Sequence, residues 1–158
     1  MEKIIGKLLN DNKYTLSTAE SCTGGYIAHL ITSVPGSSAY YKGSVISYSD
    51  EIKISFLGVC EKNLTKYGAV SKQVVREMAE GVQKRFKTDF AVACTGIAGP
   101  DGGTDEKPVG TVWIAVAAHS NIIVKKFLFG DNRDKNIHIT AITALNMLRK
   151  EIISANSE

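Results

Sequence analysis

Apolar positions recur along this chain with two periods, one of about 3.6 residues and one of two, and the alternation between them predicts the elements. In "MEKIIGKLLNDNK", Ile4, Ile5, Leu8 and Leu9 stand with charges between them, which predicts a short amphipathic helix. "YTLSTA" (Tyr14 to Ala19) reads as a first strand. From Gly24, residues Ile27, Leu30, Ile31 and Val34 follow helical spacing until Pro35-Gly36 ends the segment. "GSVISYS" (Gly43 to Ser49) predicts a second strand, with Asp50 then capping a short helix that carries Lys53. Ser71 opens the clearest helix, with Val74, Val75, Met78, Ala79, Val82 and Phe86 along one stripe. "DFAVAC" (Asp89 to Cys94) is apolar on both faces, as a central strand would be. "TVWIAVAA" and "IIVKKFLF" predict two strands joined in a hairpin at His119-Ser120-Asn121. A last helix is expected from about Asp134, with Ile137, Ala141, Ala144, Leu148 and Ile152 inward.

Strands alternating with helices, plus one hairpin, imply an α/β fold. The expectation is a single three-layer α/β/α domain over residues 1–158, on a mixed, mostly parallel sheet of about five strands that includes a C-terminal antiparallel hairpin. No linker, repeat or low-complexity tract interrupts it.

Composition narrows the function classes. Of 158 residues, 44% are hydrophobic and 22% charged, which suits a soluble globular domain with a core of its own. The net charge of +3, with no block of Lys and Arg, argues against nucleic acid as a partner. No apolar run approaches a membrane span and none reads as a signal peptide, so a cytoplasmic protein without membrane contact is expected. Cys22, Cys60 and Cys94 are odd in number and widely spaced, against a zinc site and against a disulfide framework. No metal is expected, and chemistry without a cofactor.

Three side chains that can act as nucleophiles, Ser21, Cys22 and Thr23, precede Gly24 and Gly25. If the strand ends near Ala19 and the helix begins near Cys22, Ser21 sits where free helical N–H groups could hold an anion or an oxyanion. Ser and Thr are also ordinary helix caps, so the local pattern leaves both roles open. Histidine is an unpromising base here. His29 lies eight residues on in the same helix, about 12 Å along the axis, His119 falls in a turn, and His138 stands near no motif. A desolvated lysine is the other option. Lys53 follows the second strand close behind Tyr48, and neighbouring strands would bring Ser21, Tyr48 and Lys53 to one sheet edge. An ordinary solvated helix lysine fits the same spacing.

"TGIAGPDGG", with Gly96, Gly99, Gly102 and Gly103, follows the central strand. It is neither a P-loop nor a dinucleotide fingerprint. Close approach of a ligand would explain the glycines, and so would a flexible connection. Arg133, in "FGDNRDKN", could clamp a phosphate or carboxylate or hold Lys53 neutral by repulsion, or pair with Asp131 or Asp134.

Taken in order, "AESCTGG", "PGSS", "SYSDEIK", "YGAVS", "TGIAGPDGGT" and "KPVGTVW" span the chain almost end to end. Together they resemble the CinA carboxy-terminal domain family, the PncC-type nicotinamide mononucleotide deamidases. The resemblance implies hydrolysis of nicotinamide mononucleotide to nicotinic acid mononucleotide and ammonia. It implies Ser21 as nucleophile, Lys53 as its base and Tyr48 as a tyrosine in the same catalytic set. Thr95 and Arg133 match positions implicated in substrate binding and catalysis. The amides of Cys22, Thr23 and Gly24 become candidates for an oxyanion hole. Gly36, Ser37 and Ser38, with Gly96, Ala98 and Gly99, become candidates for ribose and phosphate contacts.

Two departures stand out. Asn132 intervenes in "GDNRD", which could displace Arg133, and "ISYSD" replaces the more usual Thr-Tyr-Ser-Asn. The chain is too short for the additional amino-terminal domain of longer relatives, so a stand-alone deamidase is implied, as a homodimer or other homo-oligomer. The alternative reading is a non-catalytic nucleotide-binding or regulatory module associated with competence.

Overall fold

A computed structural model describes residues 1–119 and 121–157. Its five strands are β1 (Leu16–Glu20), β2 (Tyr41–Ile46), β3 (Phe90–Gly96), β4 (Thr111–Ala118) and β5 (Asn121–Leu128). Its helices are α1 (Glu2–Asn12), α2 (Tyr26–Thr32), α3 (Asp50–Leu57), α4 (Glu61–Tyr67), α5 (Lys72–Phe86) and α6 (Arg133–Ala155). The sheet order is β2-β1-β3-β4-β5. β1 pairs parallel with both β2 and β3, whereas β4 runs antiparallel to its two neighbours, so it alone opposes the other four. The expected mixed, mostly parallel sheet is therefore present, with "DFAVAC" at its centre. The hairpin closes with Ala118 opposite Asn121; Ser120, part of the expected turn, lies outside the described residues.

The two sheet faces differ in side-chain size, and this sets the layers. One face carries Leu16, Phe90, Val92, Ile114 and Val116 and packs against α1, α2 and α6. The other carries Ala19, Ala91, Ala93, Ala115 and Ala117, and α5 settles on this small-residue surface through Val74, Val75, Met78, Ala79 and Val82. The stripe predicted for α5 is the buried one, apart from half-buried Phe86. Such burial, worth about 25 cal/mol per Å² of apolar surface, drives the layering.

Several boundaries differ from the expectation. α2 begins at Tyr26, not near Cys22, because residues 22–25 form a turn. Ser49, not Asp50, caps α3, its side chain accepting from the Ile52 N–H at 3.3 Å. α4 was not anticipated; only Leu64 of it is buried, so it presents no apolar stripe to read. Among the described residues no helix is long and apolar enough to cross a membrane.

Candidate active site

β1 and β3 are neighbours whose outgoing connections run to opposite sides of the sheet, toward β2 and toward β4. In an open α/β sheet the crevice beyond the carboxyl ends of such strands is where ligands bind. Ser21 is the first residue past β1, and its N–H donates to the Cys94 carbonyl of β3 at 3.2 Å. A cavity of about 290 Å³ opens there, lined by Ser21, Cys22, Tyr48, Arg133 and the Gly96–Gly99 segment, with Asp101 and Gly102. A larger hollow of about 790 Å³ lies at the other end of the sheet, by Thr88, Asp89 and His119, and holds none of the candidate residues.

Lys53 approaches Ser21 from below. It sits on the inner side of α3 and is only 2% exposed, although it is a lysine. Its Nζ donates to the Ser47 carbonyl at 2.8 Å and to Ser21 Oγ at 3.3 Å. The Asp50 carboxylate stands 3.8 Å away but is itself 63% exposed. Burial pushes the Lys53 ammonium below the ordinary lysine range, and Asp50 opposes part of that shift. Arg133 is not among the causes, so the repulsion expected from it is replaced by desolvation.

Of the three adjacent nucleophile candidates, only Ser21 meets this amine. The Cys22 thiol is buried beside Cys94, and its interaction with Cys94, followed by burial, pushes Cys22 well up and keeps it a thiol. The Thr23 hydroxyl turns inward, donating to Glu20 Oε2 at 2.6 Å and lying 3.1 Å from Cys94 Sγ.

The backbone donors differ from the expectation. The N–H groups at the start of α2 do not point at Ser21: those of Gly25, Ile27 and Ala28 donate to the buried Glu20 carboxylate. The Gly24 N–H donates to the Ser21 carbonyl at 3.0 Å. The amides of Cys22 and Thr23 have no protein acceptor among the described residues, so they alone of the three proposed oxyanion donors remain available.

Arg133 reaches the cavity despite the additional residue before it. Asn132 has become the cap of α6, its side chain accepting from the Lys135 N–H at 2.9 Å. Arg133 then donates to the Gly99 carbonyl at 2.8 Å and to the Tyr48 hydroxyl at 3.0 Å. It forms no ion pair with Asp131 or Asp134 among the described residues. Asn136, one turn on, is 2% exposed and fastens the loop ends, donating to Ala98 and Gly130 carbonyls at 2.9 Å each.

The remaining candidates fall into two groups. Thr95 lies beside Ser21, since the β1–β3 register puts Glu20 opposite Cys94. Its hydroxyl is buried and donates to the Ala69 carbonyl at 3.0 Å, so it holds the loop before α5. Gly36, Ser37 and Ser38 lie before β2, at the opposite end of the sheet from Ser21, and the fold does not bring them to this cavity. The glycine-rich loop has a third explanation besides ligand approach and flexibility. A Cβ at Gly96 would stand 2.7 Å from Val112 Cγ2, and one at Gly103 2.7 Å from the Val109 nitrogen. The loop packs tightly on its own return path.

Glu20, Ser47, Asn136 and Asp101 were not singled out from the sequence. A lone acid ending an otherwise uncharged strand was the available signal for Glu20; the others become visible only once the chain is folded. Among the described residues no group of three His, Cys, Asp or Glu side chains is placed to hold a metal ion.

Residues 1–152 match the family described as the CinA C-terminal domain. A CinA-like protein of Cytophaga hutchinsonii is 51% identical over 96% of this chain and 36% of its own length. A CinA-like protein of Flavobacterium psychrophilum is 50% identical over 100% of this chain and 38% of its own. The chain thus spans little more than a third of these curated relatives. Among solved structures, the competence/damage inducible protein CihA of Agrobacterium tumefaciens superposes with a TM-score of 0.90 at 41% identity, covering 95% of this chain and 94% of that one. The competence damage-inducible protein A (ComA) of Klebsiella pneumoniae gives 0.93 at 32% identity, covering 96% and 94%.

Proposed function

Because the chain belongs to the CinA C-terminal domain family, we propose that its sheet-edge cavity is that of a serine–lysine amidohydrolase. The substrate class is a pyridine mononucleotide: nicotinamide mononucleotide is deamidated to nicotinic acid mononucleotide and ammonia. The observation that carries the reaction type is the buried Lys53 amine 3.3 Å from Ser21 Oγ. The substrate rests on the resemblance of "AESCTGG", "SYSDEIK" and "TGIAGPDGGT" to the deamidases.

In this reading Ser21 Oγ attacks the carboxamide carbon while neutral Lys53 accepts its proton. The carbonyl oxygen, now negative, is held by the Cys22 and Thr23 amides. Lys53 returns the proton to the amide nitrogen as the C–N bond breaks and ammonia leaves. Water, deprotonated by the same amine, then attacks the acyl ester and frees the acid and Ser21. Tyr48 and Arg133 form the wall against which the ring and ribose rest, with Gly96, Ala98 and Gly99 opposite. A homo-oligomeric, cytoplasmic enzyme completes the reading.

The test is ammonia release from nicotinamide mononucleotide, set beside nicotinamide and NAD. Turnover confined to the mononucleotide supports the proposal. Binding of the mononucleotide by calorimetry without any ammonia supports instead a regulatory module, a reading favoured by the competence-related names of the solved relatives.

A further inference from the structure

We propose that Glu20 is a positioning residue for the hydrolysis, holding the main-chain donors beside Ser21 without touching substrate. The inference rests on Ser21 being the nucleophile. Glu20 ends β1 and is 0% exposed, yet no cation pairs with it among the described residues. Its carboxylate accepts four hydrogen bonds instead. Oε2 takes the Thr23 hydroxyl at 2.6 Å, the Gly25 N–H at 3.1 Å and the Ile27 N–H at 3.0 Å; Oε1 takes the Ala28 N–H at 2.8 Å.

Capping alone does not call for this arrangement. A helix start is ordinarily satisfied by one short Ser, Thr or Asp side chain, and enclosing a carboxylate in a core carries a large desolvation cost. What the carboxylate adds is reach. It grips the 21–25 turn at Thr23 and Gly25 and the first turn of α2 at Ile27 and Ala28. With those groups turned inward, the Cys22 and Thr23 amides are the ones left beside Ser21 without an acceptor. The Glu20 carbonyl also accepts from the Ser47 N–H at 2.8 Å, and the Ser47 carbonyl receives Lys53 Nζ at 2.8 Å. One residue thereby spans the oxyanion donors, the nucleophile and the group that seats the base.

Glu20→Gln replaces one acceptor oxygen by an NH₂ donor that faces further donors, and the turn must relax away from it. Small displacements of aligned groups are enough to lower a rate steeply without weakening substrate binding.

The experiment compares the wild type with Glu20→Gln and Thr23→Val. The readouts are thermal unfolding, kcat and KM for nicotinamide mononucleotide, the pH midpoint of kcat, and the rate at which a fluorophosphonate labels Ser21, followed by mass. In labelling, Ser21 Oγ forms an O–P bond, fluoride departs and the hydroxyl proton passes to Lys53, so this readout needs no amide substrate. For Glu20→Gln, kcat and labelling rate are expected to fall together by about ten- to a hundredfold, below the full loss of an oxyanion donor. KM should stay within about twofold, and the pH midpoint should not move, because the contacts of Lys53 are untouched. Thr23→Val should act in the same direction by a smaller factor.

A Glu20→Gln protein that melts earlier but keeps full kcat and labelling rate when folded would show a purely structural residue and overturn the inference. Should Glu20→Gln not fold, Thr23→Val decides: undiminished kcat and labelling overturn it, and a joint fall at constant KM supports it. Wild-type protein that neither releases ammonia nor labels at Ser21 removes the nucleophile itself, and this inference with it. Wild-type turnover with an undiminished Glu20→Gln removes this inference alone.

Discussion

The guanidinium of Arg133 donates to the hydroxyl of Tyr48 at 3.0 Å, joining the first turn of α6 to the loop after β2 across 85 residues of sequence. The same side chain holds the Gly99 carbonyl, so one cation ties two walls of the cavity together. Lysine, a point charge without a planar fork, does not span both acceptors. Arg133→Lys is expected to raise KM for the mononucleotide by about tenfold, equivalent to ~1.4 kcal/mol, with unfolding unchanged. Steady-state kinetics decide it; an unaltered KM would remove Arg133 from substrate binding.

Ser21→Ala deletes one buried hydroxyl that lines the cavity and leaves the backbone bonds of the turn in place. Ammonia release should fall by at least about a thousandfold, as for other nucleophile deletions, while the melting temperature stays within a few degrees. Normal turnover by this variant would exclude the serine mechanism.

Lys53 predicts a pH dependence whose sign is fixed. Burial lowers the amine below the ordinary 10.5 of lysine, and only the neutral amine can accept a proton. Activity should therefore rise with pH through a midpoint under that value. Lys53→Arg should lose both activity and the rise, since arginine stays charged. Asp50 holds the proton on Lys53, so Asp50→Asn should move the midpoint to lower pH and increase activity below it. A shift to higher pH would contradict the assignment. The same displacement bears on folding. Between the folded value and 10.5 the unfolded chain binds more protons at this site, so stability increases with pH across that window and is lower beneath it.

Gly81 on α5 decides how closely α3, which carries Lys53, packs against α5. A Cβ at Gly81 would land on the Leu57 carbonyl at the end of α3. Gly81→Ala is expected to destabilise by about 1–3 kcal/mol, the usual range for overpacking, and to lower kcat in the protein that still folds. Denaturant unfolding and kinetics on one preparation test both halves.

Asn136 makes a prediction on stability. Asn136→Leu leaves the buried Ala98 carbonyl without its partner, whereas both polar groups of exposed Gly130 turn to water. A loss of about 1–3 kcal/mol follows from one orphaned buried carbonyl. Thermal melting that does not change would show that these groups find other partners.

The sequence by itself determined the layered α/β architecture, the central position of β3 and the inner face of α5. Each depends on apolar periodicity, and burial of that surface is the dominant force in folding. It also marked Ser21 and Lys53, through a resemblance that covers nearly the whole chain, although spacing alone pointed rather to a helix cap and a solvated lysine. What only the tertiary structure decided is where polar groups find partners. Glu20 takes the α2 donors that spacing had assigned to a ligand, Asn132 turns an apparent misalignment into a helix cap, and Gly36–Ser38 end at the far edge of the sheet. Hydrogen bonds leave no period in the chain, whether between near neighbours such as Ala28 and Glu20 or, as from Arg133 to Tyr48, across 85 positions; their partners are fixed when the layers close, and desolvation of Lys53 comes with them.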